Sequence, residues 1–447
     1  MKDALIRMPA WWACVVVLAL TAGGAAGADD QPVSREEFLQ LQQQNQQLQN
    51  QMRQQQQVID TLTHKVSDLE TAQAATNQDS TALSAPAASE PEPAATTGFH
   101  LGKVNLSGEG GLAFFESGSQ GQTPNSEFRV DEARLFLDAP IWDEVYFYTE
   151  MDLATREEND LSLRYAELYL DFEDVSQLWE RDRMLNIRAG RFYIPFGEEY
   201  QERFAIDNPL ISHSLSDLWG TDNGVELYGS LGPVRYVVAM QNGGPSASRD
   251  FTGDKSISGR IGYDPASWLH LSVSGMRTGD LSAQQDVVSA MWFGNGFFRS
   301  LGSPNTTLFH ANLAEADAQL RFSQFSLKTA GGYINYGDND PNGNNDRDVY
   351  YFYTEGVQNF TAKFYGAARF SEIFAHNGFP IVGNGNMGEY LFDELTSQYW
   401  RLSLGLGYRF SPNLIVKGEY SFNRGREFDG TPRDHQDLFA LEAAFQF

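Results

Sequence analysis

Residues 398–423 read QYWRLSLGLGYRFSPNLIVKGEYSFN and contain two segments in which apolar residues alternate with polar or small ones. In the first segment, one face holds Trp400, Leu402, Leu404, Leu406, Tyr408 and Phe410, and the other holds Arg401, Ser403, Gly405, Gly407 and Arg409. A short Ser411-Pro412 turn leads into the second segment, residues 413–423, which alternates in the same way. Each segment is long enough to cross a bilayer as a tilted strand, which takes about 9–11 residues. The stretch therefore predicts two antiparallel membrane-crossing strands.

The same alternation continues from residue 98 to the end of the chain and predicts sixteen strands. We place them near 101–115, 127–139, 143–153, 161–173, 184–192, 222–231, 233–241, 255–264, 267–277, 311–322, 325–336, 348–356, 358–370, 398–410, 413–423 and 435–447. The connections alternate between long and short. Outer-membrane barrels have short periplasmic turns and long outer loops, whereas a soluble sandwich has no reason to sort its loops by length. We therefore expect an all-β fold for residues 98–447, a 16-stranded antiparallel transmembrane β-barrel.

Two connections do not fit this pattern fully. Residues 174–183 form a longer turn on the side where the turns are short. Residues 278–310 include Asp286–Phe293, which reads as a further strand. The even strand number of bacterial barrels favours a loop here instead.

The beginning of the chain has the layout of a secretory signal peptide. Residues 1–28 combine Lys2 and Arg7, an apolar run, and the small residues Ala26-Gly27-Ala28. The only cysteine, Cys14, lies in the apolar run and would be removed with it. A mature chain without cysteine excludes disulfide scaffolds, cysteine-ligated metals and thiol chemistry. We expect export to the outer membrane of a Gram-negative bacterium.

Residues 34–70 predict an α-helical coiled coil in the periplasm. Ten positions follow a strict spacing of three and four residues: Phe38, Leu41, Asn45, Leu48, Met52, Gln55, Ile59, Leu62, Val66 and Leu69. A single helix with this stripe cannot bury it alone, so the coil implies oligomers. Asn45 at an a position often suits a two-stranded coil. Residues 71–97 are rich in Ala, Ser, Thr and Pro and predict a flexible linker.

The strand pair Glu144–Leu153 and Leu163–Phe172 and two shorter segments of the barrel region resemble the phosphate-selective porins O and P. One is Phe128-Arg129-Val130-Asp131-Glu132-Ala133-Arg134, and the other is Gly190-Arg191-Phe192-Tyr193-Ile194-Pro195-Phe196-Gly197, which is similar to the family's element at the end of the fifth strand. The resemblance implies a homotrimer of 16-stranded barrels, with the third loop folded inward to narrow each pore. Two departures argue against phosphate selectivity. The family commonly has Arg-Arg-Ala-Arg at positions 131–134 and tends to have Lys at position 193.

The barrel region is acidic, since residues 98–447 carry a net −21 of the chain's −27. We expect the third loop, 193–221, to form the constriction with Glu198, Glu199, Glu202, Arg203 and Asp207. We expect the pore wall to include Tyr146, Tyr148, Glu150, Asp152, Glu167, Asp171, Arg188, Lys363, Arg369, Arg401, Arg409, Lys417 and Glu419. Carboxylates that ring a pore favour cations, so the loop predicts a weak cation preference. Alternatively, the acidic loops serve solubility or bind divalent cations at the lipopolysaccharide surface.

The sequence predicts a water-filled channel for passive diffusion of small hydrophilic solutes, with outer-membrane lipid and lipopolysaccharide as surroundings. The alternative is a structural barrel that links the outer membrane to a periplasmic partner through the coiled coil. We expect no enzyme activity, cofactor, metal or nucleic-acid partner. The Asp338–Gly343 segment matches the start of a calcium loop but has Val349 where the bidentate Glu is needed. His213 with Asp207 or Asp217 is the one loop cluster that an enzyme could use.

Overall fold

The computed structural model describes residues 99–447 except 102, 122, 157–162, 182, 245–248, 295, 302, 344, 380 and 383–394. The predicted signal peptide (1–28), coiled coil (34–70) and linker (71–97) lie outside the described residues. Within the described part of the chain, none of the helices combines the length and the apolar character needed to cross a membrane.

Sixteen long strands, numbered β1 to β16 in chain order, form one antiparallel sheet. They are Val104–Ser117, Glu127–Trp142, Val145–Ala154, Arg164–Phe172, Asn186–Tyr193, Leu218–Leu231, Val234–Gln241, Ser256–Ala266, Leu269–Arg277, Leu308–Arg321, Phe325–Asp338, Arg347–Asn359, Phe364–Phe374, Thr396–Ser411, Leu414–Glu427 and Leu438–Gln446. Each strand pairs with the next along the chain, and β16 pairs with β1 from Glu109↔Gln446 to Ser117↔Leu438. The sheet is therefore a closed barrel, and the predicted strand number is confirmed.

The connections are sorted by length between the two ends of the barrel. At one end, here the turn end, β2 and β3 are joined by 143–144, β6 and β7 by 232–233, and β14 and β15 by 412–413. The exception at this end is 173–185, which contains a short 3-10 helix, Val175–Trp179. The other end, here the loop end, carries connections such as 194–217 (loop L3) and 278–307 (loop L5).

The outward face of the barrel is apolar over a broad belt. Exposed side chains of this belt include Leu112, Val225, Leu227, Val238, Met240, Ile257, Ile261, Val273, Leu404, Leu406, Val416 and Leu441. Exposed aromatic residues ring the turn end: Trp142, Trp268, Phe322, Phe360, Phe410 and Phe447. Aromatic side chains at the edge of an apolar band are typical of barrels embedded in a bilayer.

Some strand boundaries and one loop differ from the sequence expectation. The segment expected as strand 358–370 is Phe364–Phe374, so Lys363 lies in the exposed turn 360–363. The expected loop 278–310 contains two short strands, Val288–Phe293 and Gly296–Arg299, which pair with each other. We call these two strands the inner hairpin. The inner hairpin is not one of the sixteen barrel strands. It pairs with the first residues of β6 and with Ile381–Val382.

Candidate functional site

Loop L3 folds into the barrel and crosses its interior. Its first residues turn inward at Gly197, whose φ of +71° belongs to the left-handed region that glycine adopts without strain. A Cβ at Gly197 would lie 2.4 Å from Oε1 of Glu315 on the opposite wall. The main-chain N–H of Gly197 donates to Oγ of Ser274 at 3.0 Å. The position therefore requires glycine for both its backbone conformation and the close approach of the wall.

The far side of L3 is fastened to β15 by two fully buried charges. Glu419 accepts the main-chain N–H groups of Ile211 at 2.5 Å and Ser212 at 2.8 Å. Lys417 Nζ donates to the carbonyl oxygens of Ala205 at 2.7 Å and Leu210 at 2.9 Å, and it also donates to that of Asn208. Lys417 also lies 2.7 Å from a carboxylate oxygen of Glu442 on β16. These side chains satisfy polar groups of the L3 backbone that have left water, as buried backbone requires.

Two arginines of the neighbouring strands hold the same part of L3. Arg369 on β13 donates to the carbonyl of Ser212 at 2.7 Å and to Oδ1 of Asn208 at 3.0 Å. Arg401 on β14 donates to the carbonyl of His213 at 3.0 Å. The expected wall residues Arg369, Arg401, Lys417 and Glu419 thus face inward, where the structure covers them with L3.

The acidic residues of L3 are mostly paired with cations of the wall. Glu198 lies 3.1 Å from Arg260 on β8, and Glu202 forms an ion pair with Lys328 on β11. Within the loop, Asp217 is ion-paired with Arg203.

The remaining two acidic groups of L3 differ in their surroundings. Glu199 accepts hydrogen bonds from the main-chain N–H and the hydroxyl of Ser214. Burial raises the pKa of Asp207, and the nearby cations Arg409 and Lys417 partly oppose this rise. The L3 segment therefore presents far less unpaired negative charge than its sequence suggests.

The wall opposite these anchors carries the remaining expected residues on β3 to β5. Tyr148 and Tyr169 stack with ring centroids 5.1 Å apart, and Arg188 lies 4.3 Å above the Tyr169 ring. Arg188 pairs with Asp171 at 3.0 Å and with Glu226 of β6 at 3.2 Å.

Glu167 and Tyr146 belong to the same group of expected wall residues. Glu167 accepts the main-chain N–H of Tyr193 at 3.0 Å. Tyr146 is half-buried at the turn-end rim.

Arg134 on β2 is surrounded by more carboxylates than it can neutralise. Four of them lie within 3.3 Å of its guanidinium: Glu109, Glu132, Glu150 and Asp152. The guanidinium also lies 4.6 Å from the ring of Phe204 in L3. Asp152 also lies 3.2 Å from Arg164 on β4, so two guanidinium groups share these four buried carboxylates beside the inserted loop.

Cavities open on the turn-end side of L3. One of about 690 Å³ lies between L3 and the walls of β5 to β9 and is lined by Arg188, Tyr200, Glu226 and Arg260. A second cavity of about 290 Å³ is lined by Asp207, Lys328, Lys363 and Arg409. The expected wall residues Lys363 and Arg409 thus lie together near the turn end. We call these two polar cavities together the vestibule.

The loop-end half of the barrel is filled rather than open. The inner hairpin buries Met291, Phe293 and Phe298, each at most 1 % exposed. These side chains pack on wall residues that point inward and are apolar: Leu313, Ile334, Val349, Tyr351, Ile373 and Tyr399. The expectation that inward positions are polar is therefore wrong for the loop-end half of β10 to β14. The physical reason is that these positions form a core with the hairpin instead of facing water.

His213 lies in the packed part of L3. Its Nε2 faces the carbonyl of Arg203 at 3.1 Å, and its Nδ1 lies 3.5 Å from Asp217, while Asp207 is not a partner. Burial holds the pKa of His213 well below its usual range, and the Arg203 guanidinium lowers it further. Among the described residues, neither ring nitrogen has a hydroxyl partner that could serve as a nucleophile.

The calcium-like segment is a hydrogen-bonded turn. Asp338 accepts Nδ2 of Asn345 at 2.9 Å and the hydroxyl of Thr306 at 2.9 Å, and Asp340 accepts the hydroxyl of Ser303. Val349 is fully buried in the interior core. Within the described ranges, His, Asp and Glu side chains form no group arranged to hold a metal ion.

Comparison with solved structures identifies the fold. The outer-membrane channel DcaP of Acinetobacter baumannii aligns with a TM-score of 0.53 and 15 % identity, over 77 % of this chain and 97 % of that one. OmpT of Vibrio cholerae aligns with a TM-score of 0.53 and 10 % identity, over 79 % of this chain and all of that one. The likeness is one of fold. No protein-family model matches the chain, and no curated protein matches it in sequence, so membership of the phosphate-selective porins is not confirmed.

The sequence analysis missed the inner hairpin as part of the interior. A signal was present, because the Gly294-Asn295-Gly296 segment separates two apolar runs, and an Asn-Gly pair in that setting favours a hairpin. It also missed the wall partners of L3, such as Arg260 and Lys328. Those pairs join residues far apart in the chain, and no local pattern shows them.

Proposed function

We propose that the chain is an outer-membrane porin that conducts small hydrophilic solutes by passive diffusion. The observation that carries this proposal is the closed 16-stranded barrel with an apolar outer belt and a charged inner vestibule. Barrels of this strand number are wide enough to leave water inside. The aromatic ring at the turn end supports a position in a bilayer, and the short turns at that end support its facing the periplasm.

The proposal extends to assembly and selectivity. We infer a homotrimer, as the sequence resemblance implies, and a weak cation preference. The preference rests on the Arg134 cluster, where four carboxylates lie around the two guanidinium groups of Arg134 and Arg164 beside L3, because carboxylates that outnumber cations along a passage favour cations. Phosphate selectivity is not part of the proposal.

Planar-bilayer recording of the purified full-length protein tests the proposal. We expect discrete conductance steps, a reversal potential on the cation side in a salt gradient, and a trimer after crosslinking in mild detergent. A protein that inserts and shows heat-modifiable gel mobility but never conducts would contradict the porin function. Anion selectivity would contradict the cation preference alone.

A second candidate is a structural barrel that links the outer membrane to a periplasmic partner through the coiled coil. The filled loop-end half of the interior favours it, because a linker has no need of an open passage. Under this candidate, displacing the interior loops gives no conductance, whereas a porin then conducts more.

A further inference from the structure

The inner hairpin lies where a solute would have to enter from the loop end. At its tip, the main-chain N–H of Gly294 donates to the carbonyl of Asp217 in L3 at 3.1 Å. Residues 210–222 of the chain are all buried, and so are Ser289–Phe293 of the hairpin. A loop that bordered an open water path would be exposed on the side facing it. The packing therefore leaves no wet surface along this part of L3 or the hairpin.

We propose that the inner hairpin is a plug that closes the loop end of the barrel and must withdraw before solutes pass. This inference rests on the proposed porin function and adds its regulation. In this proposal, the hairpin separates the vestibule from the loop end in the closed state.

The hairpin is built to be held by apolar contact rather than by charge. From Val287 to Phe298 it carries no charged residue, while Asp286 and Arg299 flank it. Among the described residues, its ladder with the barrel wall consists of Met291↔Gly220, Trp292↔Trp219 and Phe293↔Leu218 at the start of β6, and the N–H of Ala290 also donates to the carbonyl of Gly243 just after β7. A short ladder and an apolar contact face can separate from the wall without leaving an unpaired buried charge behind.

The hairpin is also coupled to the constriction loop. The Trp292 ring stacks on Trp219 with centroids 5.5 Å apart and an interplanar angle of 6°. The guanidinium of Arg203, in L3, lies 4.0 Å from the centroid of the Trp219 ring, and Arg203 is paired with Asp217. Withdrawal of the hairpin thus removes Trp292 from the ring of Trp219, which in turn contacts Arg203. The plug and the constriction are expected to loosen together.

Gly220 provides a way to displace the hairpin without changing it. A Cβ at Gly220 would lie 2.1 Å from the carbonyl oxygen of Ala290 and 3.0 Å from Cα of Met291, so both obstacles are hairpin backbone. Gly220→Val should therefore push the hairpin off β6. Gly275→Val is the matched control, since Gly275 also lies on a barrel strand and a Cβ there meets only the carbonyl oxygen of Leu313 at 4.0 Å.

The test compares single-channel conductance of the full-length parent, Gly220→Val and Gly275→Val in planar bilayers. We expect a mostly closed parent with brief openings, a several-fold higher mean conductance for Gly220→Val, and parent behaviour for Gly275→Val. In a Trp219→Cys/Trp292→Cys variant, a short bifunctional thiol reagent should abolish the openings. The cross-strand Cβ atoms of opposed residues lie about 4.5–5.5 Å apart, within reach of such a reagent.

Two other outcomes would overturn the plug and can be told apart from failure of the porin function. Equal, sustained conductance of parent and Gly220→Val, unchanged by the crosslink, leaves a porin without a plug. Folded barrels that never conduct, Gly220→Val included, contradict the porin function as well. Heat-modifiable mobility of each variant shows that the barrel itself has formed.

Discussion

The carboxylate of Glu419 accepts the main-chain N–H of Ser212 at 2.8 Å, which ties loop L3 to β15 in the barrel interior. The same carboxylate accepts the N–H of Ile211. The Glu419 carboxylate thus takes the place of the carbonyl acceptors that a neighbouring β-strand would have provided for this part of L3. Arg369, Arg401, Lys417 and Glu419 on β13 to β15 are best understood as anchors of the loop, because each of them hydrogen-bonds to L3.

Loss of the Glu419 carboxylate should release this part of L3. We expect Glu419→Leu to destabilise the folded barrel by about 2 kcal/mol, because two buried N–H groups lose their acceptor. Thermal unfolding followed by gel mobility measures the change, and limited proteolysis should show new cleavage within 205–217. Asp143→Leu, in an exposed turn, is the control. Unchanged protease resistance of L3 in Glu419→Leu would contradict the anchoring role.

Lys417 and Glu442 should behave as a coupled pair. Lys417→Met leaves a buried carboxylate and three carbonyl groups of L3 without their partner, and breaking a buried pair in this way costs about 3–5 kcal/mol. The double variant Lys417→Met/Glu442→Gln should recover part of the loss. A double-mutant cycle in urea measures the coupling, and additive effects of the two substitutions would argue against it.

Acid should loosen L3 through His213. The folded pKa of this imidazole lies below its unfolded value of about 6.5, so the unfolded chain binds more protons as the pH falls. The stability that the neutral ring provides is complete above that value and declines below it. We expect the unfolding temperature to drop between about pH 6.5 and pH 5 in the parent and to drop less in His213→Gln. Identical profiles for the two proteins would contradict the assignment.

Substitutions of Glu202 and Lys328 should shift the ion selectivity in opposite directions. Glu202→Gln leaves Lys328 uncompensated beside the vestibule and should move the reversal potential toward anions, while Lys328→Gln should move it toward cations. The double variant restores the charge balance and should return to the parent value. Shifts of the same sign in the two single variants would show that the pair does not face the permeating ions.

The barrel could be predicted from sequence because the alternation within each strand shows which residues face lipid and which face inward. In 398–410, every second residue meets lipid, and the inward residues Arg401 and Ser403 are buried as the alternation indicates. The ladder Leu402↔Phe422 between β14 and β15 follows directly from the short turn that joins them.

The interior could not be predicted in the same way. Alternation shows which residues share a face, but it does not show whether the inward face meets water or another part of the chain. Leu313 and Ile334 are read only as apolar residues of a strand, and the hairpin that covers them belongs to a different loop. The partners of Glu202 and Glu419 likewise come from strands far along the chain, so the acidic loop looked more negative than it is.

The pairing of β1 with β16 has a consequence for biogenesis. The seam joins Glu109 to Gln446, so the cylinder cannot be completed until its final strand has been delivered. Until then, the two edge strands of the sheet expose unpaired main-chain N–H and C=O groups to any neighbouring polypeptide. A chain that lacks only its last strand would therefore keep fifteen correctly patterned strands and still have two unpaired edge strands. Such a chain is expected to aggregate or to be degraded by quality-control proteases.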